Sequence, residues 1–430
     1  MKLHIRNGRL VDPKNEVDRP FDLFIAEGRV AGIGGAPRGF AADRVIDATG
    51  LVIAPGLVDL AARLREPGLE YKATLESEML AAVAGGVTSL ACPPDTDPPL
   101  DEPGLVEMLK RRASSLNLAR VYPVGALTAK LQGERLTEMA ELRDHGCIAF
   151  SQADVPLHDT QILWRALQYA QTFGLAVWLR PQDPHLAKSG VAHDGEVATR
   201  LGLPGIPPFA ETIALATILA LVRVTGTRVH LCRLSVGESV DLVRAAKRDG
   251  LPVTCDVAAH HLHLCDIDLG YFDSRCHVVP PFRSQRDRDA LRAGLADGTI
   301  DAVCSDHTPV DEDAKQLPFG ESEPGTTGLE LLLPLVLKWS HESRLPLVKA
   351  LGRATSDPAR ILGVEAGHLG LGAPADVCVF DPESYLQVQP AALRSQGKNT
   401  PFVGYELPGV VRYTLVAGEV VFEREPGESR

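Results

Sequence analysis

Short β-type runs alternate with amphipathic helical segments through the middle of this 430-residue chain. The runs are apolar and rich in β-branched residues, which is typical of strands buried on both faces of a parallel sheet. Segments of helical period, such as 75–84, 160–169 and 239–248, lie between them. The eight β-type runs are 57–60, 87–92, 119–124, 147–150, 175–179, 229–232, 253–257 and 302–304. This alternation predicts an α/β fold, a (β/α)8 TIM-like barrel.

The two ends of the chain have a different character from the middle. Residues 1–52 and 365–430 contain short alternating runs separated by turn signals such as Asn7-Gly8 and Gly418-Glu419. We therefore predict one composite β domain, a small β-sandwich built from 1–52 and 365–430, and a barrel domain of residues 53–364. A length of 430 residues suits one large barrel with a small satellite domain.

Composition excludes several classes of function. The net charge of -12 and the lack of a basic cluster argue against a nucleic-acid or anionic-membrane partner. The first residues lack the apolar core of a secretory signal, and the longest apolar runs are about half the length that spans a bilayer. The eight cysteines are scattered without a C-x-x-C pair, which is typical of reduced thiols. We expect a cytoplasmic protein.

In a barrel of this type the chemistry lies where strands end and loops begin. The polar or unusual residues that follow the eight runs are Ala61, Arg63, Asp95, Gln152, Ala153, Arg180, Arg233, His260, His261 and Asp306. Ala61 and Arg63 are two residues apart on an extended segment, so they face the same way.

Seven short motifs carry a resemblance to a known family. They lie at residues 54–60, 64–68, 85–88, 201–207, 259–262, 280–283 and 305–309. Together they resemble bacterial dihydroorotases of the cyclic amidohydrolase superfamily, over nearly the whole chain. The resemblance implies two zinc ions that activate a bridging water, and an aspartate on the last strand that moves the proton.

The positions that match the family's metal ligands carry residues that do not bind metal. These vestigial positions are Ala61, Arg63, Gln152, Ala153, Arg180, Arg233 and Asp306. Alanine has no donor atom, and arginine stays protonated with no lone pair to give. We therefore predict that zinc is lost, that no metal or other cofactor is bound, and that Asp306 is a remnant with no catalytic residue functioning.

The resemblance also marks substrate positions, of which only the first keeps its expected residue. They are Arg65, Asp95, Val279 and Val310. Arg65 could hold a carboxylate through its two-pronged guanidinium.

Four arginines at the predicted mouth allow two interpretations. As an anion site, Arg63, Arg65, Arg180 and Arg233 would bind a carboxylate or phosphate. The alternative that we favour is an internal salt-bridge network with Asp59, Asp95, Asp183, Asp256 and Asp306. In particular, we hypothesise that Asp306 pairs with Arg63 or Arg233, because a buried carboxylate needs such a partner.

A second cluster of metal-binding residue types lies at Cys255, His260, His261, His263 and Cys265. It allows a relocated zinc site. We favour ordinary packing instead, because neighbouring residues on a strand point to opposite faces.

The function that the resemblance implies is that of a pseudoenzyme, that is, a protein that is not an enzyme. Some bacteria carry such a chain beside aspartate transcarbamoylase, as a structural subunit for its assembly in pyrimidine biosynthesis. The predicted partner is thus the aspartate transcarbamoylase catalytic chain, with a homodimer inside a larger complex. The alternatives are an active zinc-dependent cyclic amidohydrolase with an altered metal site, and an anion-binding regulatory barrel.

Overall fold

Eight parallel strands form the wall of a barrel in the computed structural model, which describes residues 1–425. The strands, in chain order, are β1 Leu3–Arg6, β2 Arg9–Asp12, β3 Val17–Pro20, β4 Leu23–Ala26, β5 Arg29–Ile33, β6 Arg44–Asp47, β7 Val52–Pro55, β8 Leu57–Asp59, β9 Val87–Cys92, β10 Arg120–Ala126, β11 Ala149–Ser151, β12 Val177–Leu179, β13 Ala192–His193, β14 Gly205–Ile206, β15 Val229–Leu231, β16 Val253–Ala258, β17 Ala302–Cys304, β18 Val377–Gln387, β19 Glu406–Val416 and β20 Glu419–Glu423.

Within residues 1–425, eleven α-helices accompany these strands. They are α1 Leu75–Ala84, α2 Pro103–Leu116, α3 Met139–Asp144, α4 Thr160–Thr172, α5 Glu196–Leu201, α6 Phe209–Thr225, α7 Gly237–Arg248, α8 Gln285–Asp297, α9 Leu332–Glu342, α10 Leu347–Gly352 and α11 Ser356–Leu362. Local sequence explains several of their ends. Thr74 and Ser284 cap α1 and α8 with their hydroxyl groups. α8 ends at Gly298, which adopts a left-handed φ of 87° that glycine tolerates best.

The barrel strands lie in the order β17-β16-β15-β12-β11-β10-β9-β8. Each pair of neighbours in this order is parallel, and each of the eight predicted runs overlaps one of these strands. The prediction of a (β/α)8 barrel is therefore confirmed. The ends of the strands differ from the ends of the predicted runs by about two residues. The strand in the run predicted at 175–179 begins at Val177, and the strand in the run predicted at 119–124 extends to Ala126.

A side chain closes the seam between the first and last barrel strands. Asp59 accepts hydrogen bonds from the Ser305 amide (2.8 Å) and from the Ser305 hydroxyl. Beyond the strands, the Arg63 amide donates to the His307 carbonyl (2.9 Å), and the His307 amide donates to the Ala61 carbonyl (3.0 Å). This seam therefore brings the segment after β8 against the segment after β17.

Besides the two-stranded sheet β13-β14, two larger sheets lie outside the barrel among the described residues. A four-stranded sheet has the order β5-β4-β1-β6, and a six-stranded sheet has the order β20-β19-β18-β7-β2-β3, which draws on both ends of the chain. A separate apolar core joins these sheets, with Leu3, Ile25, Val377 and Leu415 among its buried members. The domain bounds remain a prediction, and residues 426–430 of the predicted β domain lie outside the described residues.

Two smaller expectations concern membrane-spanning segments and the cysteine thiols. Within residues 1–425, no helix is long and apolar enough to cross a membrane. All eight cysteines are free, and seven of them are buried. This agrees with the prediction of reduced, buried thiols.

Candidate functional site: an arginine–aspartate network at the barrel mouth

The mouth of the barrel is lined by residues that follow the carboxyl ends of its strands. Three arginines follow three different strands: Arg63 comes after β8, Arg180 after β12 and Arg233 after β15. Because the strands are parallel, their carboxyl ends meet at one face of the barrel. The side chains of all three arginines are only 4–5% exposed.

Arg63 lies at the centre of this network and binds three carboxylates. Its Nε donates to Asp95 Oδ2 at 2.6 Å, and its Nη2 donates to Asp154 Oδ2 at 2.5 Å. Its Nη1 donates to Thr308 Oγ1 at 2.8 Å and reaches Asp306 Oδ1 at 3.4 Å. Each guanidinium nitrogen of Arg63 therefore has an acceptor.

Asp154 is the carboxylate that joins the three arginines. Its Oδ1 accepts from Arg180 Nε at 2.7 Å and from Arg233 Nη2 at 2.5 Å. Arg180 Nη2 also donates to the Asp154 main-chain carbonyl at 2.9 Å. Arg233 Nη1 continues the network to Asp306 Oδ1 at 2.8 Å. The arginines thus surround an acidic side chain.

The hypothesis that Asp306 pairs with Arg63 or Arg233 is confirmed, since it pairs with both. The expected set of acids needs correction, however. Asp59 binds Ser305 at the seam, and Asp183 accepts from the amides of His185 and Leu186 at 2.9 Å each. Asp256 binds His230 Nε2 at 3.0 Å and the Arg233 amide, not an arginine side chain. The acids that pair with the arginine side chains are Asp95, Asp154 and Asp306.

Asp154 was missed from the sequence, where the carboxylate position was placed at Gln152–Ala153. Gln152 instead accepts from Thr128 Oγ1 at 2.9 Å and donates to the Leu131 carbonyl at 2.7 Å. Ala153 adopts a left-handed φ of 50°, which turns the chain so that the next residue meets the arginines. The available signal was the acidic residue that directly follows the two candidate positions, Gln152 and Ala153.

Charge governs the ionisation of this network. Burial alone would raise the pKa of Asp154, but Arg233, Arg63 and Arg180 hold it well below its usual range. Burial would likewise lower the pKa of Arg233, and Asp154 and Asp306 reverse this, so it lies well above the ordinary value. The arginines are therefore charged, and Asp154 is ionised, throughout the neutral range.

Burial and the arginine charges act on the pKa of Asp306 with a different net result. Burial raises its pKa, and Arg233 and Arg63 only partly oppose that shift. The neighbouring His260 Nε2 lies 4.0 Å from Asp306 Oδ2, and burial and Arg233 lower the pKa of His260 to about 3. His260 is thus neutral near pH 7, and Asp306 depends on the arginines for its counter-charge.

The donor set at the mouth does not fit the zinc pair that the resemblance implies. Ala61 offers no donor atom, and the guanidinium groups of Arg63, Arg180 and Arg233 have no free lone pair. Zinc sites take thiolate, imidazole and carboxylate ligands, usually four to each ion. Within residues 1–425, no group of three or more histidines, cysteines, aspartates or glutamates is arranged to hold a metal ion.

The same finding covers the second cluster of histidines and cysteines. His261 Nε2 interacts with the Pro281 carbonyl at 3.3 Å, and His263 Nε2 with the Leu335 carbonyl at 2.9 Å. Cys255 Sγ donates to the Thr299 carbonyl at 3.4 Å. These side chains point to separate partners, as ordinary packing predicts.

The remaining predicted substrate positions lie around the network. Arg65 is buried and donates from Nε to the Pro309 carbonyl at 2.9 Å. The Val279 carbonyl lies 3.5 Å from Arg233 Nη1, and the Val310 amide donates to Asn399 Oδ1 at 3.1 Å. Whether Arg65 binds an anion remains a prediction.

A cavity of about 30 Å³ lies beneath the network. Its lining includes Ala61, Arg63, Trp178 and Arg233. Such a volume has room for roughly one or two water molecules. The space at the vestigial ligand positions is therefore largely filled by the protein's own side chains.

A fully buried hydrogen bond between His307 and Glu78 supports the segment that carries Asp306. His307 Nδ1 accepts from the Gly328 amide at 3.1 Å, so its Nε2 carries the proton and donates to Glu78 Oε2 at 2.6 Å. Glu78 also accepts from Ser395 Oγ at 2.6 Å and from the Gln396 amide at 3.0 Å. Glu78 therefore links α1, the end of β17 and the segment before β19.

Replacing Glu78 with glutamine is expected to lower the free energy of unfolding by about 2–3 kcal/mol. The amide group presents a donor where the carboxylate accepted hydrogen bonds, so buried donors lose their partner. Chemical denaturation measures the change. Glu342→Gln is the matched control, because Glu342 is partly exposed and its pairs with Lys338 and Arg292 are worth about 1 kcal/mol or less. Equal losses in the two variants would contradict the role given to Glu78.

Comparisons with known proteins agree with the fold and identify the family. A family model described as "Dihydro-orotase-like" matches residues 50–239, and one described as "Amidohydrolase family" matches residues 212–422. A dihydroorotase-like protein of Pseudomonas putida is 47% identical over 420 residues, covering 98% of this chain and 99% of the relative. A dihydroorotase of Geobacter sp. strain M21 is 41% identical over 426 residues, covering 98% of this chain and 100% of the relative.

Solved structures show the same fold. The L-hydantoinase of Arthrobacter aurescens superposes with a TM-score of 0.86 at 24% identity, covering 98% of this chain and 96% of that protein. A D-hydantoinase superposes with a TM-score of 0.84 at 22% identity, covering 100% of this chain and 96% of that protein. At these identities the likeness concerns the fold alone.

One prediction is corrected by these comparisons. The expectation that the chain is a pseudoenzyme, and not an enzyme, is wrong, because relatives named dihydroorotase match it over their full length and point to a hydrolase. The fold, the matched families and the full-length identities agree with one another. The chain belongs to the dihydroorotase-like proteins of the amidohydrolase superfamily.

Proposed function

We propose that this dihydroorotase-like amidohydrolase acts in pyrimidine biosynthesis as an assembly subunit for the catalytic chain of aspartate transcarbamoylase. The observation that carries the proposal is the replacement of metal-binding residues by arginines at the barrel mouth. Three buried arginines bind Asp154 from positions that the resemblance assigns to metal ligands. All eight strands of the barrel around these arginines are present. The proposal gives the partner role to the outer surface of the barrel, whether or not the mouth also hydrolyses an amide.

We further propose that the mouth holds no zinc pair. The support is chemical: the guanidinium groups that surround Asp154 and Asp306 supply the positive charge that two zinc ions would otherwise bring. The family's metal-activated water therefore has no ligand set here, and hydrolysis by this chain would need a water activated in another way.

The assembly proposal includes the state and place of the protein. We propose a homodimer within a larger complex, located in the cytoplasm. The eight free cysteines support a reducing compartment, because disulfides persist mainly in oxidising ones.

Light scattering coupled to gel filtration tests the assembly proposal. The chain is mixed with the aspartate transcarbamoylase catalytic chain of the same organism, and a complex heavier than either protein alone is expected. Arg180→Met provides the control, since a change inside the mouth should leave an outer interface intact. Separate elution of the two proteins at micromolar concentration would contradict the proposal.

A second candidate function is hydrolysis of a cyclic amide. The full-length relatives named dihydroorotase favour it, and Asp306, the expected proton-shuttling residue, is present. On this candidate, turnover of dihydroorotate is expected without added zinc and is lost in Asp306→Asn. If neither the wild type nor Asp306→Asn turns over dihydroorotate, hydrolysis is excluded and the assembly function is the candidate that remains.

A further inference from the structure

The three mouth arginines have the geometry of a carboxylate receptor. Four guanidinium nitrogens lie near the Asp154 carboxylate: Arg180 Nε at 2.7 Å, Arg233 Nη2 at 2.5 Å, Arg63 Nη2 at 2.5 Å and Arg233 Nη1 at 3.4 Å. Convergent guanidinium groups of this kind are the preferred partners of planar carboxylates. The receptor comes from three different strand ends, so it does not depend on any one loop.

The three arginine side chains are more deeply buried than the Asp154 side chain that they bind. The arginine side chains are 4–5% exposed, whereas the Asp154 side chain is 32% exposed. Asp154 lies on the loop between β11 and α4, where Ala153 has a φ of 50°. Two local hydrogen bonds hold this turn: the Ala153 amide to Ser151 Oγ at 3.0 Å and the Val155 amide to the Gln152 carbonyl at 3.1 Å.

The loop borders a cavity that reaches the receptor. This cavity of about 120 Å³ is lined by Arg180, Ala153, His158 and His185 among others. It therefore gives a small molecule access to one of the three arginines, and it gives the displaced loop a space beside α6.

The neighbouring Arg65 adds a further positive charge beside the receptor. Arg63, Arg180 and Arg233 pair with Asp95, Asp154 and Asp306, whereas Arg65 forms no ion pair among the described residues and meets the charges of Asp95 and Glu323 only at longer range. Among the described residues, the only hydrogen bond that Arg65 donates from its side chain goes from Nε to the Pro309 carbonyl.

We propose that Arg63, Arg180 and Arg233 form a binding site for a small carboxylate ligand, and that Asp154 occupies this site from within the chain. A ligand carboxylate takes the position of Asp154 when the 153–155 turn moves away. The intramolecular carboxylate has a high effective concentration, so free carboxylates bind weakly while it is present. Removing Asp154 exposes the receptor.

Chemical rescue of Asp154→Ala tests this site. The variant is expected to melt about 5 °C or more below the wild type. Sodium formate or acetate at millimolar concentration should restore much of that loss, whereas sodium chloride of equal ionic strength should not. Asp154→Ser, whose small side chain also leaves room for the added anion, serves the same test if the alanine variant does not fold.

Asp249→Ala is the matched control, because Asp249 forms an exposed pair with Arg223. It should show little loss and no rescue by formate. A loss in Asp154→Ala that formate restores no better than chloride would overturn the proposal. Equal rescue by inorganic phosphate would also overturn it in its stated form, because the site would then bind oxyanions in general.

Hydrogen exchange on the wild-type protein tests the displacement itself. A saturating carboxylate probe, malonate, should increase exchange at the Ala153 and Val155 amides, because their present hydrogen bonds break when the turn moves. Unchanged or slower exchange at these two amides, with malonate bound, would show that Asp154 stays in place and would overturn the displacement.

Discussion

Replacing Arg233 with methionine is expected to lower the free energy of unfolding by about 3–5 kcal/mol. Arg233 donates to Asp154 at 2.5 Å and to Asp306 at 2.8 Å, and its side chain is almost fully buried. Methionine fills a similar volume, so little packing is lost. The loss arises because Asp154 and Asp306 lose one of the counter-ions that offset the cost of their burial.

Chemical denaturation of Arg233→Met and of a control variant measures this effect. Arg223→Met is the control: Arg223 forms an exposed pair with Asp249, and such pairs contribute about 1 kcal/mol or less. Adding Asp154→Asn to Arg233→Met should recover part of the loss, because it removes one of the stranded charges. A loss below about 1 kcal/mol in Arg233→Met would contradict the view that the network stabilises the mouth.

Placing histidines at four of the vestigial ligand positions is expected to make folding depend on zinc. The variant carries Ala61→His, Arg63→His, Arg180→His and Arg233→His. Its mouth retains the carboxylates that the arginines neutralised, and imidazole and carboxylate groups are zinc ligands. Zinc would then replace the lost positive charge, and a metal that binds only the folded state adds about 4 kcal/mol at a free concentration 1,000 times its Kd.

Thermal unfolding with and without zinc measures this dependence. The metal-free variant should melt well below the wild type, and zinc should raise its Tm, whereas magnesium should not because it prefers sites made of oxygen ligands. The wild type should show neither response. A variant that is as stable as the wild type in the presence of a chelator would contradict the account, since its carboxylates would then need no cation.

The architecture followed from sequence because its signals are local and repeated. Each barrel strand is an apolar run bounded by turns, and α1 and β9 were predicted with the bounds that the structure has. Strand ends such as 175–179 were less well predicted, because pairing with neighbours decides where a ladder begins.

The mouth was predicted only in part. The pairing of Asp306 with Arg63 and Arg233 followed from the rule that buried charges need partners. Asp154 was missed because its placement depends on a left-handed turn at Ala153, a conformation that alanine seldom adopts and that sequence does not signal. Asp59 was wrongly placed in the network because the seam interaction with Ser305 is a contact between distant parts of the chain.

The mouth combines strained backbone with paired charge. Arg65, Ala153, Arg233 and Asp306 all have left-handed φ values, between 48° and 63°. Such conformations persist where the surrounding contacts hold them, and they cluster at functional sites. This agrees with a mouth that keeps the geometry of a functional site while its ligands have changed.

The zinc content of the wild-type protein is the most direct test of the central claim, that an arginine–aspartate network stands in place of the family's metal pair. The protein is purified after expression with added zinc, and the metal is measured by mass spectrometry against protein concentration. The account predicts a stoichiometry near zero. One or two tightly bound zinc ions per chain would contradict it.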